Sequence, residues 1–161
     1  MNLRVESLIR DLQLIPHPEG GYYREIFRSE RHVGADGGRG QRLGLTAIYF
    51  LLTTGQRSRW HRILSDEAWS HLEGDPLTLV RFDDRNGTHT NVRLGKYGPG
   101  LEPVCVVPAG IWQAAEPAGE YALVSCFVGP GFEFQDFTLA SDTPDVAQAI
   151  RAQGEDLDRF I

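Results

Sequence analysis

The chain has 161 residues, 41% of them hydrophobic and 24% charged, and carries a formal net charge of −6. A chain of this length is one domain's worth and buries a sizeable core without disulfides or structural metals. The mild acid excess and the lack of a basic run argue against nucleic acid or an anionic membrane as partner, and no apolar run is long enough to span a bilayer.

The first element in chain order is an amphipathic helix over Val5 to Leu14, with Val5, Leu8, Ile9 and Leu12 on one face. Pro16 and Pro18 stop it, and His17-Pro18-Glu19-Gly20-Gly21 forms a rigid turn into an extended run from Tyr22 to Arg28. Residues 34–40, rich in glycine, read as a flexible loop before a long apolar strand from Leu43 to Leu52. Strands then follow at short spacing over Arg57 to Ile63, Glu67 to Leu72 and Leu77 to Phe82. An Asn86-Gly87 hairpin turn leads back through Thr88 to Leu94. Pro103 to Val107, Ile111 to Ala115, Tyr121 to Val128 and Phe132 to Leu139 complete the series. Such regular turn signals, with 18 glycines and 9 prolines, indicate an all-β sandwich or barrel. A closing helix is expected at about 143–153, with Thr143 as N-cap, Pro144 in its first position, and Val146 and Ile150 on its apolar stripe. One domain is expected over 1–161, its barrel at about 20–140.

Cys105 and Cys126 both fall in apolar runs and are expected as buried, reduced thiols rather than a disulfide. With no apolar run at the N-terminus, the chain reads as cytoplasmic.

The segment Gly55 to Gly74 carries the chemistry. Alternation puts Arg59, His61 and Ile63 on one face of a strand, and Glu67, Trp69 and His71 on one face of the next. Paired as hairpin neighbours with those faces inward, they place a polar cluster inside an apolar barrel. Burying His61 and Glu67 without partners costs several kcal/mol. A ligand, a metal or an internal hydrogen-bond network is therefore implied.

The spacing of Gly55, His61, Glu67 and Gly74 resembles the first motif of the cupin superfamily, and Pro108-Ala109-Gly110 resembles the core of the second. The nearer resemblance is to the DUF985 or Cupin_5 family. It rests on His17 to Glu25, Ser58 to Arg62, Asp66-Glu67, Val107 to Gly110 and Pro130 to Phe134, and spans about residues 6–140. The resemblance implies an all-β double-stranded β-helix, a jelly-roll barrel, with short N- and C-terminal helices. It also implies a homodimer, and places the His17–Glu19 turn near the barrel mouth or the dimer interface. Cupin metal sites usually carry three histidines and a glutamate. Here Ile63 stands where the second histidine is expected and Gln113 where the third is. Only His61 and Glu67 remain as metal ligands, too few for a catalytic centre. A divalent metal is thus the minor expectation, and no other cofactor is implied. In this respect the chain is similar to the metal-free sugar epimerases among cupins, in which a barrel histidine acts as base.

On this reading His61 is a general base and Glu67 fixes its tautomer. Arg59, Trp69, His71 and Gln113 are the ligand-binding candidates. Two of them also have a plainer reading: a rim salt bridge for Arg59 and a structural histidine for His71. Trp60, on the opposite parity, is assigned to packing, and Tyr121 and Phe132 to Phe134 to the core. Three functions are compatible. One is a metal-independent isomerase or epimerase acting on a small polar metabolite such as a sugar or nucleotide derivative. The others are a non-catalytic small-molecule binding module and a metal-dependent cupin enzyme.

Overall fold

The computed structural model describes residues 2–161. Helix α1 (Leu3–Asp11) is followed by strands β1 (Ile15–Pro16), β2 (Tyr22–Arg28), β3 (His32–Ala35), β4 (Gly40–Leu43) and β5 (Thr46–Thr53). Next come β6 (Ser58–Ile63), β7 (Asp66–Gly74), β8 (Leu77–Asp83), β9 (Thr88–Leu94) and β10 (Val104–Val107). β11 (Trp112–Pro117), β12 (Tyr121–Gly129) and β13 (Phe137–Leu139) precede helices α2 (Pro144–Arg151) and α3 (Glu155–Asp158). Two antiparallel sheets, ordered β1-β2-β5-β12-β7-β10 and β13-β6-β11-β8-β9, face each other as a cupin jelly roll. No helix among the described residues is long and apolar enough to cross a membrane.

The helices explain why several strands are apolar on both faces. α1 lays Val5 and Leu8 on the outside of the first sheet, against Leu51 and Leu123. α2 and α3 cover the outside of the second, where Val146, Ile150, Leu157 and Phe160 pack on Trp60, Phe82 and Trp112. Trp60, assigned to packing, is held there by its indole N–H, which donates to the Leu157 carbonyl at 2.8 Å. Inside the barrel, Leu52, Leu77, Leu79, Leu94, Val107 and Val124 fill one end. The other end is hollow.

Several element boundaries differ from the sequence expectation. α1 starts earlier because the Asn2 side chain caps it, accepting from the Arg4 N–H at 2.8 Å, and it ends before Gln13, whose φ is 53°. The glycine-rich run at 34–40 is not a loose loop but the tip of a ribbon, β3 paired with β4. Gly37, Gly38 and Gly40 supply the positive φ it needs, and β5 begins only after Gly44. Of the strand expected over Phe132 to Leu139, only β13 forms, because residues Phe134–Asp136 wind into a 3-10 turn. Thr143 makes no side-chain cap, although Pro144 does open α2, and α3 lies beyond the expected helix.

The largest correction concerns the carrier segment. β6 and β7 are not hairpin neighbours: β6 pairs with β11 and β13, and β7 with β10 and β12. The turn between them crosses from one sheet to the other. His61 and Glu67 therefore belong to opposite walls of the barrel.

Candidate functional site

The hollow end is a cavity of about 270 Å³ lined by His17, Glu19, His61, Glu67 and Cys126 among its polar groups, and by Tyr23, Phe50, Trp69 and Ile63 among its apolar ones. Phe132, Phe134 and Phe137 surround its mouth with Glu25 and Arg28. A few polar groups converging in an aromatic-walled hollow are the usual makeup of a small-molecule site.

His61 is 2% exposed, and its ring stacks on Phe137 at 5.4 Å. Its Nδ1 lies 2.8 Å from the Arg59 carbonyl and 3.2 Å from Glu19 Oε2. The Arg59 carbonyl can only accept, so Nδ1 carries the proton and Nε2 keeps a lone pair. The carboxylate that orients His61 is thus Glu19, not Glu67 as the strand pattern suggested. Glu19 is fixed in turn by the Ser58 hydroxyl, which donates to Oε1 at 2.8 Å. His17 completes the turn: its Nδ1 accepts the Glu19 N–H at 3.2 Å, and its ring meets Tyr23 edge-on at 4.4 Å.

Glycine makes this turn feasible. A Cβ on Gly20 would lie 2.1 Å from the Arg57 carbonyl oxygen, and one on Gly21 would lie 2.7 Å from that of Leu51. With φ of 113° and 75°, both positions also need the left-handed backbone. The chain can thus be pressed between β5 and β6, which drives Glu19 onto His61.

Glu67, across the cavity, accepts a hydrogen bond from the Gln113 amide. Gln113 accepts in turn from the Trp69 indole N–H at 2.9 Å. Gln113 is fully buried behind this wall and braces Glu67 and Trp69 rather than lining the cavity. Arg59 and His71 are not brought to the cavity. β6 carries one extra residue against β11, since Gln113 pairs with His61 but Ala115 with Ser58. This bulge reverses the parity below His61, so Ser58 faces Glu19 while the Arg59 guanidinium lies outside on the Pro18 carbonyl at 2.7 Å. His71 sits beside Val124 at the filled end, its Nε2 engaged with the Asp75 carbonyl at 3.0 Å.

Burial dominates the protonation of the group. It pushes the Glu19 carboxyl up to about 8, against the Ser58 hydrogen bond and the Arg59 charge. It pushes Glu67 up to about 7, with His61 pulling down and Glu19 pushing up. It lowers His17 to about 3 and lowers His61, which Glu67 partly restores. The Cys126 thiol is raised by burial and by Glu67 beside it. Near neutrality the site holds neutral imidazoles and carboxyls that still keep protons. Cys105 and Cys126 are both free and buried.

The residues present do not fit a cupin metal centre. Ile63 occupies the wall where a histidine ligand is expected, and the His61 Nδ1 is engaged. Among the described residues no three His, Cys, Asp or Glu side chains come together in a ligating arrangement.

Sequence reasoning put His17 and Glu19 only near the mouth or an interface, and assigned Phe132 and Phe134 to the core. It missed Tyr23, Glu25 and Arg28. Tyr23 and Glu25 share one face by simple alternation, but a second bulge hides Arg28: Glu25 pairs with Ile48 but Phe27 with Ala47, so Ile26 is the extra residue and Arg28 returns to the cavity side. The adjacent Gly20-Gly21 was the one local signal that the turn is pressed against another backbone.

Comparison with known proteins agrees with this architecture. The family profile described as cupin superfamily (DUF985) matches residues 6–140. Protein YML079W of Saccharomyces cerevisiae is 31% identical, covering 91% of this chain and 80% of its own. The structure of protein SO0799 from Shewanella oneidensis is 34% identical with a TM-score of 0.83, covering 96% of this chain and 94% of its own. A hypothetical protein from Leishmania major is 37% identical with a TM-score of 0.76, covering 83% and 85%.

Proposed function

The chain belongs to the Cupin_5 (DUF985) family of the cupin superfamily, and from that premise we propose that its barrel binds a small polar metabolite, a sugar or nucleotide derivative, and isomerises or epimerises it without a metal. The observation that carries this reading is the His61 ring, with Nδ1 given to the Arg59 carbonyl and Glu19 and Nε2 left as a base. His61 Nε2 takes a proton from a carbon next to a carbonyl, and the electron pair moves into that carbonyl to give an enolate. Glu67, on the opposing wall and raised to about 7, returns a proton from the other side. Acid and base from opposite sheets suit inversion at one carbon. The aromatic walls hold the ligand and exclude water.

The test is solvent deuterium exchange. In D2O the protein is incubated with a broad panel of sugars and sugar nucleotides, and deuterium on carbon is read by mass spectrometry. Exchange that His61→Ala abolishes supports the reading. A ligand held tightly with no exchange makes the protein a binding module instead.

The protein also pairs with a second copy in this proposal. Val106, Ala68, Phe127, Ala47 and Phe27 lie in register across five strands on the outside of the first sheet. α1 covers only the Leu51 and Leu123 end of that face. Val106, Phe127 and Phe27 remain 51%, 40% and 52% exposed, a flat apolar row that a two-fold axis sets against itself.

A further inference from the structure

The charge inventory of the cavity bears on what enters it. Glu19 and Glu67 are 6% and 7% exposed, and both face hydrogen-bond donors that are neutral: Ser58 and His61 for one, the Gln113 amide for the other. The fold treats its other buried carboxylate differently. Asp136 is met by Arg42 through Nε at 2.8 Å and Nη2 at 2.9 Å, and by Arg39 at 3.1 Å. Among the described residues the one guanidinium lining the cavity, Arg28, is already committed. It donates to both Glu25 oxygens at 2.9 and 2.8 Å, to Glu133 at 3.0 Å and to the Phe132 carbonyl at 3.3 Å.

An anionic group placed inside would lose its water beside two carboxyls with no cation to receive it. A neutral polyol would meet no such barrier, but would draw nothing from the carboxyls beyond ordinary hydrogen bonds. A protonated amine gains from both kinds of wall. It pairs with a carboxylate in a dry site, and its charge lies against the faces of Tyr23, Phe50 and Trp69. His61 adds an acceptor, since its Nε2 has no partner among the described residues and an N–H of the ligand can satisfy it.

We infer that the ligand of this cavity carries a protonated amine, held between Glu67 and the aromatic wall, and that phosphorylated ligands are disfavoured. The inference rests on the cavity being the ligand site, as proposed above, but not on any reaction taking place there. It narrows the sugar or nucleotide class to amino sugars and amine-bearing nucleosides with an uncharged remainder, and removes the nucleotides themselves.

The experiment is isothermal titration of the full chain with two matched trios. One is glucosamine, glucose and glucose 6-phosphate; the other is phenethylamine, 2-phenylethanol and its phosphate ester. In at least one trio the amine is expected to bind ten-fold or more tightly than the neutral parent, and the phosphate not at all. With Glu67 at about 7, pairing with an ammonium ionises the carboxyl, so binding at pH 6.5 releases protons. That release is read by repeating the titration in buffers of different ionisation enthalpy. Glu67→Gln keeps the shape of the wall and is expected to remove both the preference and the proton release. The wild-type proton release decides the matter even where that variant misfolds. Equal or tighter binding of the neutral parent or the phosphate in both trios overturns the inference and leaves the cavity reading standing, provided His61→Ala weakens that binding. Failure of all six compounds overturns it as well.

Discussion

Glu19 Oε2 lies 3.2 Å from His61 Nδ1, inside a barrel end that also buries His17 and Glu67. Four titratable groups in one dry pocket make stability depend on pH in a definite way. The carboxyls are raised from 4.5 to about 8 and 7, so the folded state binds more protons than the unfolded one above pH 4.5, and their contribution is lost as pH rises towards 8. The imidazoles are lowered, His17 from 6.5 to about 3, so their contribution is lost as pH falls below 6.5. Between 4.5 and 6.5 the two trends oppose each other. The protein is therefore expected to be most stable in that window and to lose on the order of 2 kcal/mol between pH 6.5 and 8. Thermal melts across pH check this. Glu19→Gln and Glu67→Gln should each flatten the alkaline limb, and a wild-type melting temperature that rises from pH 6.5 to 8 contradicts the assignment.

The bracing of Glu67 gives a second expectation. Gln113→Leu leaves the Trp69 N–H and a Glu67 oxygen without partners at a site that excludes water. Each buried orphan costs about 1–3 kcal/mol, so the variant should lose roughly 2–6 kcal/mol in urea unfolding. Glu67→Leu combined with Gln113→Leu should recover part of that loss. Additive losses would show that the two side chains do not act through each other.

How far the sequence could be read follows from these same residues. The ten strands of the main series and the barrel were legible because alternation and turn residues are local signals, whereas β1 and the β3–β4 ribbon were not. The face of His61 was legible for the same reason. Three further features were not. Bulges in β6 and β2 reverse parity without any marker at Arg59 or Ile26, so Arg59 was placed inside and Arg28 was not. The partner of His61 was also hidden, because Glu19 arrives through a turn whose position depends on contact with β5 and β6. Two strands adjacent in sequence read as a hairpin, and only the sheet order shows that they face each other across the cavity.

That turn yields a third prediction. Gly20→Ala brings a methyl group to 2.1 Å from the Arg57 carbonyl oxygen at a φ of 113°, so the backbone must move. The cost is expected at about 2–4 kcal/mol. Glu19 moves with the turn, so ligand affinity should fall in Gly20→Ala even at temperatures where the protein stays folded. Gly110→Ala is the control: its φ is also positive, at 81°, but a Cβ there meets nothing within 4 Å. It should cost less and leave the cavity intact. Equal effects of the two substitutions on ligand binding would remove the turn from the site.

Pairing of copies through the first sheet is tested by mass in solution. Light scattering should give twice the 18.0 kDa of the chain. Phe127→Glu puts a charge in the middle of the row that a partner covers, and should convert the protein to monomers with its circular dichroism unchanged. A wild-type monomer at micromolar concentration would end the proposal.

The last prediction concerns the mouth. Arg42 and Arg39 on β4 and its turn grip Asp136, which sits one residue before Phe137 and two after Phe134. The pairs thereby tie the β3–β4 ribbon to the segment that carries two of the mouth's three phenyl rings. Removing one member of a buried ion pair leaves the other charge unmatched and costs about 3–5 kcal/mol. Asp136→Asn should therefore destabilise strongly, because it leaves two guanidiniums facing a neutral amide. Arg39→Ala removes one of the two and keeps the bidentate Arg42 contact, so it should cost less. It is also the informative variant for function. If the ribbon holds the mouth in shape, Arg39→Ala speeds ligand release and raises hydrogen exchange at residues 132–137, with the deep groups His61, Glu67 and Trp69 unaffected. Unchanged exchange there would mean that Phe132, Phe134 and Phe137 hold one another in place through their edge-to-face contacts alone.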